Sequence, residues 1–200
     1  MIQYLTSQSP TYSIEELAQM AIEGGCQWIQ LTDSLPEDAS LRDVAAQLQD
    51  LCQETETILI IDHDVELVNE LKVFGVHLSK GDMKPEAARE LLGPHAIIGV
   101  DVTTPEEVIL MQPADIDYVV LGGYPESLSV ELCGEFIKAL RGKGNQTAVV
   151  VRGRIFDNDI KALSAVGING FAVSGAITNA DDPVAATAKL IKTATEAKEL

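Results

Sequence analysis

Two hydrophobic patterns alternate along the chain. Short runs of consecutive apolar residues fall at residues 2–5, 28–31, 58–61, 75–78, 96–100, 118–121, 148–151 and 170–173. Being apolar on successive positions, they predict strands buried on both faces. Between them, apolar residues recur at helical spacing over 14–23, 41–54, 65–72, 85–92, 105–112, 130–141, 157–166 and 183–197. Leu132, Phe136, Ile137 and Leu140 are one such face.

Helix boundaries are also marked. Ser13 with Glu16 reads as a capping box, and Thr104-Pro105-Glu106-Glu107 as a cap, a proline at the first turn and acids behind it. Glycines follow the predicted helix ends at Gly24, Gly25, Gly75, Gly93, Gly142 and Gly167. Connections are short, and no Pro- or Ser-rich linker breaks the chain. Strand–helix alternation predicts an α/β fold with a parallel sheet. An open doubly wound sheet satisfies the same alternation. The count of eight runs and the glycine-rich turn after the seventh favour a closed (β/α)8 TIM barrel, a single domain over 1–200.

Composition refines this picture. Hydrophobic residues make up 46% and aromatics only 4%, so an interior layered with branched aliphatics is expected. The net charge of −17 argues against nucleic-acid and anionic-membrane partners, which need clustered Lys and Arg. Cys26, Cys52 and Cys133 lack CxxC spacing, so reduced thiols in a cytoplasmic protein are expected. The opening residues show no basic and apolar leader pattern, and no apolar run approaches the ~18 residues of a membrane span.

In a barrel, chemistry gathers where strands end and helices begin. Asp62-His63-Asp64 follows the third run, Asp82 the fourth and Asp101 the fifth. Oxygen ligands without thiolates suit magnesium, so Asp62, His63 and Asp82 are candidate metal ligands. Helix capping is the competing reading and the better one for Asp64. Arg152-Gly153-Arg154 follows the seventh run and Ser174-Gly175 the eighth, where such barrels bind phosphate through backbone N–H groups. An arginine paired with the acidic rim is the alternative there. His77 lies within an apolar run and reads as a packed core histidine, His63 as a base or ligand, and His95 falls at the opposite rim.

These segments resemble the thiamine-phosphate synthase and thiazole tautomerase family. The resemblance is carried by Gly24-Gly25-Cys26-Gln27-Trp28-Ile29-Gln30-Leu31, Ile60-Ile61-Asp62-His63-Asp64-Val65 and Phe74-Gly75-Val76-His77-Leu78. It continues through Gly81-Asp82-Met83, Ile98-Gly99-Val100-Asp101, Asp117-Tyr118-Val119-Val120-Leu121-Gly122 and Gly167-Ile168-Asn169-Gly170-Phe171-Ala172-Val173. It implies a synthase that joins a pyrimidine pyrophosphate to a thiazole phosphate with magnesium. Gln30 and Asp101 then fall at catalytic positions. Lys80, Gly122, Arg152, Gly153, Arg154, Ser174 and Gly175 form the implied phosphate-binding set. The implied partner is a small phosphorylated substrate, with a homodimer left open.

The chain departs from the family pattern in one electrostatic direction. Gln-Leu-Arg-x-Lys after the second run reads Gln30-Leu31-Thr32-Asp33-Ser34. Asn-Asp becomes Asp62-His63, a serine becomes Asp101, and the lysine after the sixth run is missing from Pro125-Glu126-Ser127-Leu128-Ser129. The tautomerase histidine falls at Thr103. Three expectations follow: a slow synthase; a silent or repurposed barrel binding another ligand or a protein; or a metal enzyme using Asp62, Asp82 and Asp101.

Overall fold

Each apolar run forms a strand that pairs with its successor, and the eighth pairs with the first. The computed structural model describes residues 1–197, Pro113 by its backbone alone, so residues 198–200 of the expected domain lie outside the described residues. The strands are β1 (Ile2–Leu5), β2 (Trp28–Leu31), β3 (Ile58–Asp62), β4 (Gly75–Leu78), β5 (Ile97–Asp101), β6 (Tyr118–Tyr124), β7 (Ala148–Gly153) and β8 (Gly170–Val173). The helices are α1 (Ile14–Glu23), α2 (Leu41–Glu54), α3 (Val65–Leu71), α4 (Pro85–Leu92), α5 (Pro105–Leu110), α6 (Val130–Gly142), α7 (Asp157–Ala165), α8 (Gly175–Thr178) and α9 (Pro183–Glu196). The parallel ladder Ile2↔Phe171, Gln3↔Ala172, Tyr4↔Val173 closes the sheet, which excludes the open alternative. The fold is a (β/α)8 TIM barrel.

The capping box forms as expected at Ser13/Glu16, and Thr104 caps α5 as expected, with Glu107 completing a second capping box. Two features depart from the pattern. β6 and β7 extend past their apolar runs to Tyr124 and Gly153, which pair across a register shift. Gly123 supplies the required backbone there, with φ 89°. A Cβ on Gly153 would lie 1.9 Å from the Tyr124 carbonyl oxygen, so only glycine permits that close approach. The short α8 was not expected, since four residues carry no readable period.

The interior is not the expected stack of branched aliphatics. Leu5, Tyr118, Val120, Val150 and Ala172 form an inner apolar cluster separate from the larger one between strands and helices. Gln3, Gln30 and His77 are buried beside it. Period-two alternation turns them inward. A Cβ on Gly99 would lie 2.1 Å from Cζ of Tyr118 and 2.4 Å from its hydroxyl, so the tyrosine ring occupies the space this glycine leaves.

Candidate active site

The C-terminal ends of the strands bring the predicted residues to one rim. β3 ends at Asp62, β5 at Asp101 and β7 at Arg152-Gly153, while Ser174 follows β8. Lys80 and Asp82 lie in the β4–α4 loop, and Gly122 lies near the end of β6.

Around β3 and β4 the acids are already partnered. His63 takes a left-handed backbone, φ 66°, and its Nδ1 lies 2.6 Å from Asp82 Oδ2. The Ser79 N–H donates to the same oxygen at 2.6 Å. Gln30 Nε2 donates to Asp62 Oδ1 at 2.5 Å. Asp64 accepts from the Leu67 N–H at 2.8 Å and caps α3, as capping predicts. Burial pushes the Asp62 carboxyl up, against the pull of His77, His63 and Gln30. Burial also works to raise Asp82, but the His63 and Ser79 bonds outweigh it and hold that carboxyl below its usual range. Burial opposes charge on His63, and the Asp82 bond with the nearby acids overcomes it, so His63 is raised. Among the described residues no three His, Cys, Asp or Glu side chains form a group able to hold a metal.

Asp101 sits in a fork of three donors. His77 Nε2 is 3.1 Å from its Oδ1, and Oδ2 accepts from Ser79 Oγ at 2.9 Å and from an Arg152 NH2 at 3.1 Å. Burial would raise this carboxyl. The His77 bond and charge, the Arg152 charge and the Ser79 bond prevail and hold it at about 2. Arg152 is therefore tied to the acidic rim, the alternative that the sequence left open. Arg154 points elsewhere: its guanidinium meets Glu126 at 3.5 Å with both side chains exposed, and its N–H donates to the Tyr124 carbonyl at 2.9 Å.

Beneath the rim runs a buried relay. Gln3 Nε2 lies 2.6 Å from Gln30 Oε1 and 3.3 Å from the Tyr118 hydroxyl, and that hydroxyl lies 3.4 Å from His77 Nδ1. With His77 protonated on Nε2, the donors run in one direction from Gln3 through Tyr118 and His77 to Asp101. His77 is thus buried, as expected, yet it also positions a rim acid. On the far side, Ser174 Oγ donates to Ser7 Oγ at 2.8 Å, and Thr178 Oγ1 lies 2.9 Å from Ser7 Oγ and 2.8 Å from the Tyr4 hydroxyl. Sequence reading missed Gln3, Ser7, Tyr118 and Thr178. A glutamine inside Ile2-Gln3-Tyr4-Leu5 was the one available signal, because a polar residue in a doubly buried strand needs a partner.

The sequence pattern of the family described as thiamine monophosphate synthase matches residues 3–177. A thiamine-phosphate synthase of Bacteroides fragilis is 39% identical over 199 residues, covering 95% of this chain and 98% of that protein. One from Flavobacterium psychrophilum is 32% identical, covering 91% and 93%. Among solved structures, the thiamine phosphate pyrophosphorylase of Pyrococcus furiosus superposes with a TM-score of 0.83 at 25% identity, over 98% of this chain and 96% of that one. The pattern match and these identities place the chain in the thiamine monophosphate synthase family.

Proposed function

We propose that this protein is a cytoplasmic barrel that binds the phosphorylated substrates of thiamine-phosphate synthase and couples them slowly. The observation that carries the reading is the Arg152–Asp101 pair at 3.1 Å. In the family reaction, the bond between the pyrimidine methylene and its pyrophosphate breaks, and the thiazole nitrogen bonds to that methylene. Stabilising the departing anion is the main task of the site. Here the inward-facing arginine is committed to Asp101, the turn Thr32-Asp33-Ser34 carries no cation, and Arg154 pairs with Glu126.

Gln30 offers the amide N–H that does not reach Asp62, and the polar cluster at Ser174 and Ser7 suits the thiazole phosphate. A phosphate would rest on the backbone of Gly153 or of Ser174 and Gly175. Magnesium supplies charge neutralisation in the family reaction. The residues present offer it few ligands, because among the described residues no three His, Cys, Asp or Glu side chains gather to hold a metal, and one oxygen each of Asp82 and Asp62 is already taken by protein donors. The coupling is accordingly ascribed to the chain's own groups.

Incubation with pyrimidine pyrophosphate, thiazole phosphate and magnesium tests this, with the Bacteroides fragilis relative run alongside. The expected outcome is product at a rate at least several hundredfold lower than the relative's. Equal rates would overturn the reading.

A further inference from the structure

Two hydrogen-bonded arms meet inside the barrel at Gln3, on β1. One runs from Gln3 Nε2 to Gln30 Oε1 at 2.6 Å, then from Gln30 Nε2 to Asp62 Oδ1 at 2.5 Å. The other runs from the same Gln3 nitrogen to the Tyr118 hydroxyl at 3.3 Å and on to His77 Nδ1 at 3.4 Å, then from His77 Nε2 to Asp101 Oδ1 at 3.1 Å. Gln3, Gln30, Tyr118 and His77 are all buried. Trp28 meets the Tyr118 ring edge-on with centroids 5.3 Å apart, and burial pushes the phenol up, so it stays a hydroxyl.

Both arms end on an acid, and that fixes their direction. The Asp101 carboxylate only accepts, so His77 donates from Nε2 and accepts at Nδ1. Tyr118 then gives its proton to Nδ1, and its oxygen accepts from Gln3. On the other arm Gln30 turns its N–H₂ to Asp62 and its oxygen to Gln3. The residue at the junction must therefore donate twice, which a single amide nitrogen can do. Its own oxygen is left over: Gln3 Oε1 is buried and accepts no hydrogen bond among the described residues. An orphaned buried acceptor lowers stability. Turning the amide over would set that oxygen against Gln30 Oε1, so the junction keeps its orphan for the sake of both arms.

We propose that Gln3 is a positioning residue that locks the two arms into one direction, so that the orientation of the Gln30 amide and the position of the proton on His77 change together. Its bearing on catalysis rests on the synthase reading, in which the remaining Gln30 N–H faces the substrate and turns with the amide. Reversing one arm must reverse the other. A His77 proton moved to Nδ1 makes Tyr118 donate to Gln3. Gln3 then turns its oxygen toward Tyr118 and, because one atom faces both arms, toward Gln30 as well. Gln30 answers with its N–H₂ and gives up its bond to Asp62.

The test is NMR of the full chain carrying ¹⁵N in its histidine and glutamine side chains, with the His77 and Gln30 signals assigned by their loss in His77→Asn and Gln30→Leu. The trigger is Asp101→Asn with Asp62→Asn, which turns an N–H₂ toward His77 and removes the acid that opposes reversal. In that protein the His77 proton should move from Nε2 to Nδ1 and the Gln30 amide signal should shift with it. Gln3→Met keeps the length of the side chain and removes the donor. Added to the same pair, it should leave the His77 move and abolish the Gln30 shift that accompanies it. If Gln3→Met does not fold, as judged by circular dichroism, Tyr118→Phe cuts the same arm and should also separate the two signals. A truncation in the inner apolar cluster, Val150→Ala, lowers stability without touching the arms and should leave the two signals moving together. A His77 proton that moves while Gln30 stays, neither signal moving, or a Gln30 shift that survives Gln3→Met would overturn the proposal. None of these signals needs turnover, so failure to form thiamine phosphate would count against the synthase reading alone.

Discussion

Replacing Asp101 by Asn should convert Arg152 from a neutralised group into a usable anion site. The side chains are nearly the same shape, and the fork can adapt. The amide oxygen can take the Ser79 and Arg152 donors, and the amide N–H₂ can face His77 if that ring moves its proton to Nδ1. Nδ1–H would then donate to the Tyr118 hydroxyl, now 3.4 Å away. The gain follows from charge. A carboxylate ~5 Å from a phosphate oxygen repels it by about 3 kcal/mol per charge at an effective dielectric of ~20. The Asp101 side chain is 24% exposed and Arg152 36%. Solvent and salt therefore reduce the net effect to about 1.4 kcal/mol, or about tenfold in Kd. Calorimetric titration of inorganic pyrophosphate at two ionic strengths measures it. The variant should bind about tenfold more tightly at low salt, with a smaller gain at high salt. An unchanged Kd at low salt would show that Asp101 does not neutralise Arg152.

The same carboxylate makes stability depend on pH. Its folded pKa of about 2 lies below the ordinary 3.8, so the folded state binds fewer protons. The stabilisation, about 2 kcal/mol, is present above about pH 4 and lost as pH falls toward about 2, and urea unfolding across that window should show a slope that Asp101→Asn flattens. Tyr118→Phe removes the hydroxyl between Gln3 and His77 and should cost about 1–3 kcal/mol in urea unfolding. Gly99→Ala drives a methyl into the Tyr118 ring and should cost about 1–3 kcal/mol in the same assay; pairing it with Tyr118→Ala should recover part of that loss.

The barrel was legible because its signals are local. Eight apolar runs, Ser13/Glu16 and Thr104/Glu107 each state their own structure, and strand ends differ from expectation by at most three residues. The rim was legible as a set of positions, since Asp62, Asp101, Arg152 and Ser174 all follow or close strands. The pairings within it were not. That Arg152 answers to Asp101, 51 residues away, is set by barrel closure and by side-chain direction, which periodicity does not encode. The Gln3–Tyr118–His77 relay was hidden for the same reason, because it depends on the space left by Gly99 across a strand pair.

The coupling rate of a charge-restored variant tests the proposed function most directly. Thr32→Arg, Ser34→Lys and Asp101→Ser together return two cations to the β2 turn and remove the acid that occupies Arg152. At about 1.4 kcal/mol net per contact, each restored interaction is worth a factor of about ten in rate. The triple variant should form thiamine phosphate from pyrimidine pyrophosphate and thiazole phosphate at least a hundredfold faster than the wild type, in single-turnover experiments. A wild type already turning over as fast as the triple variant would contradict the account.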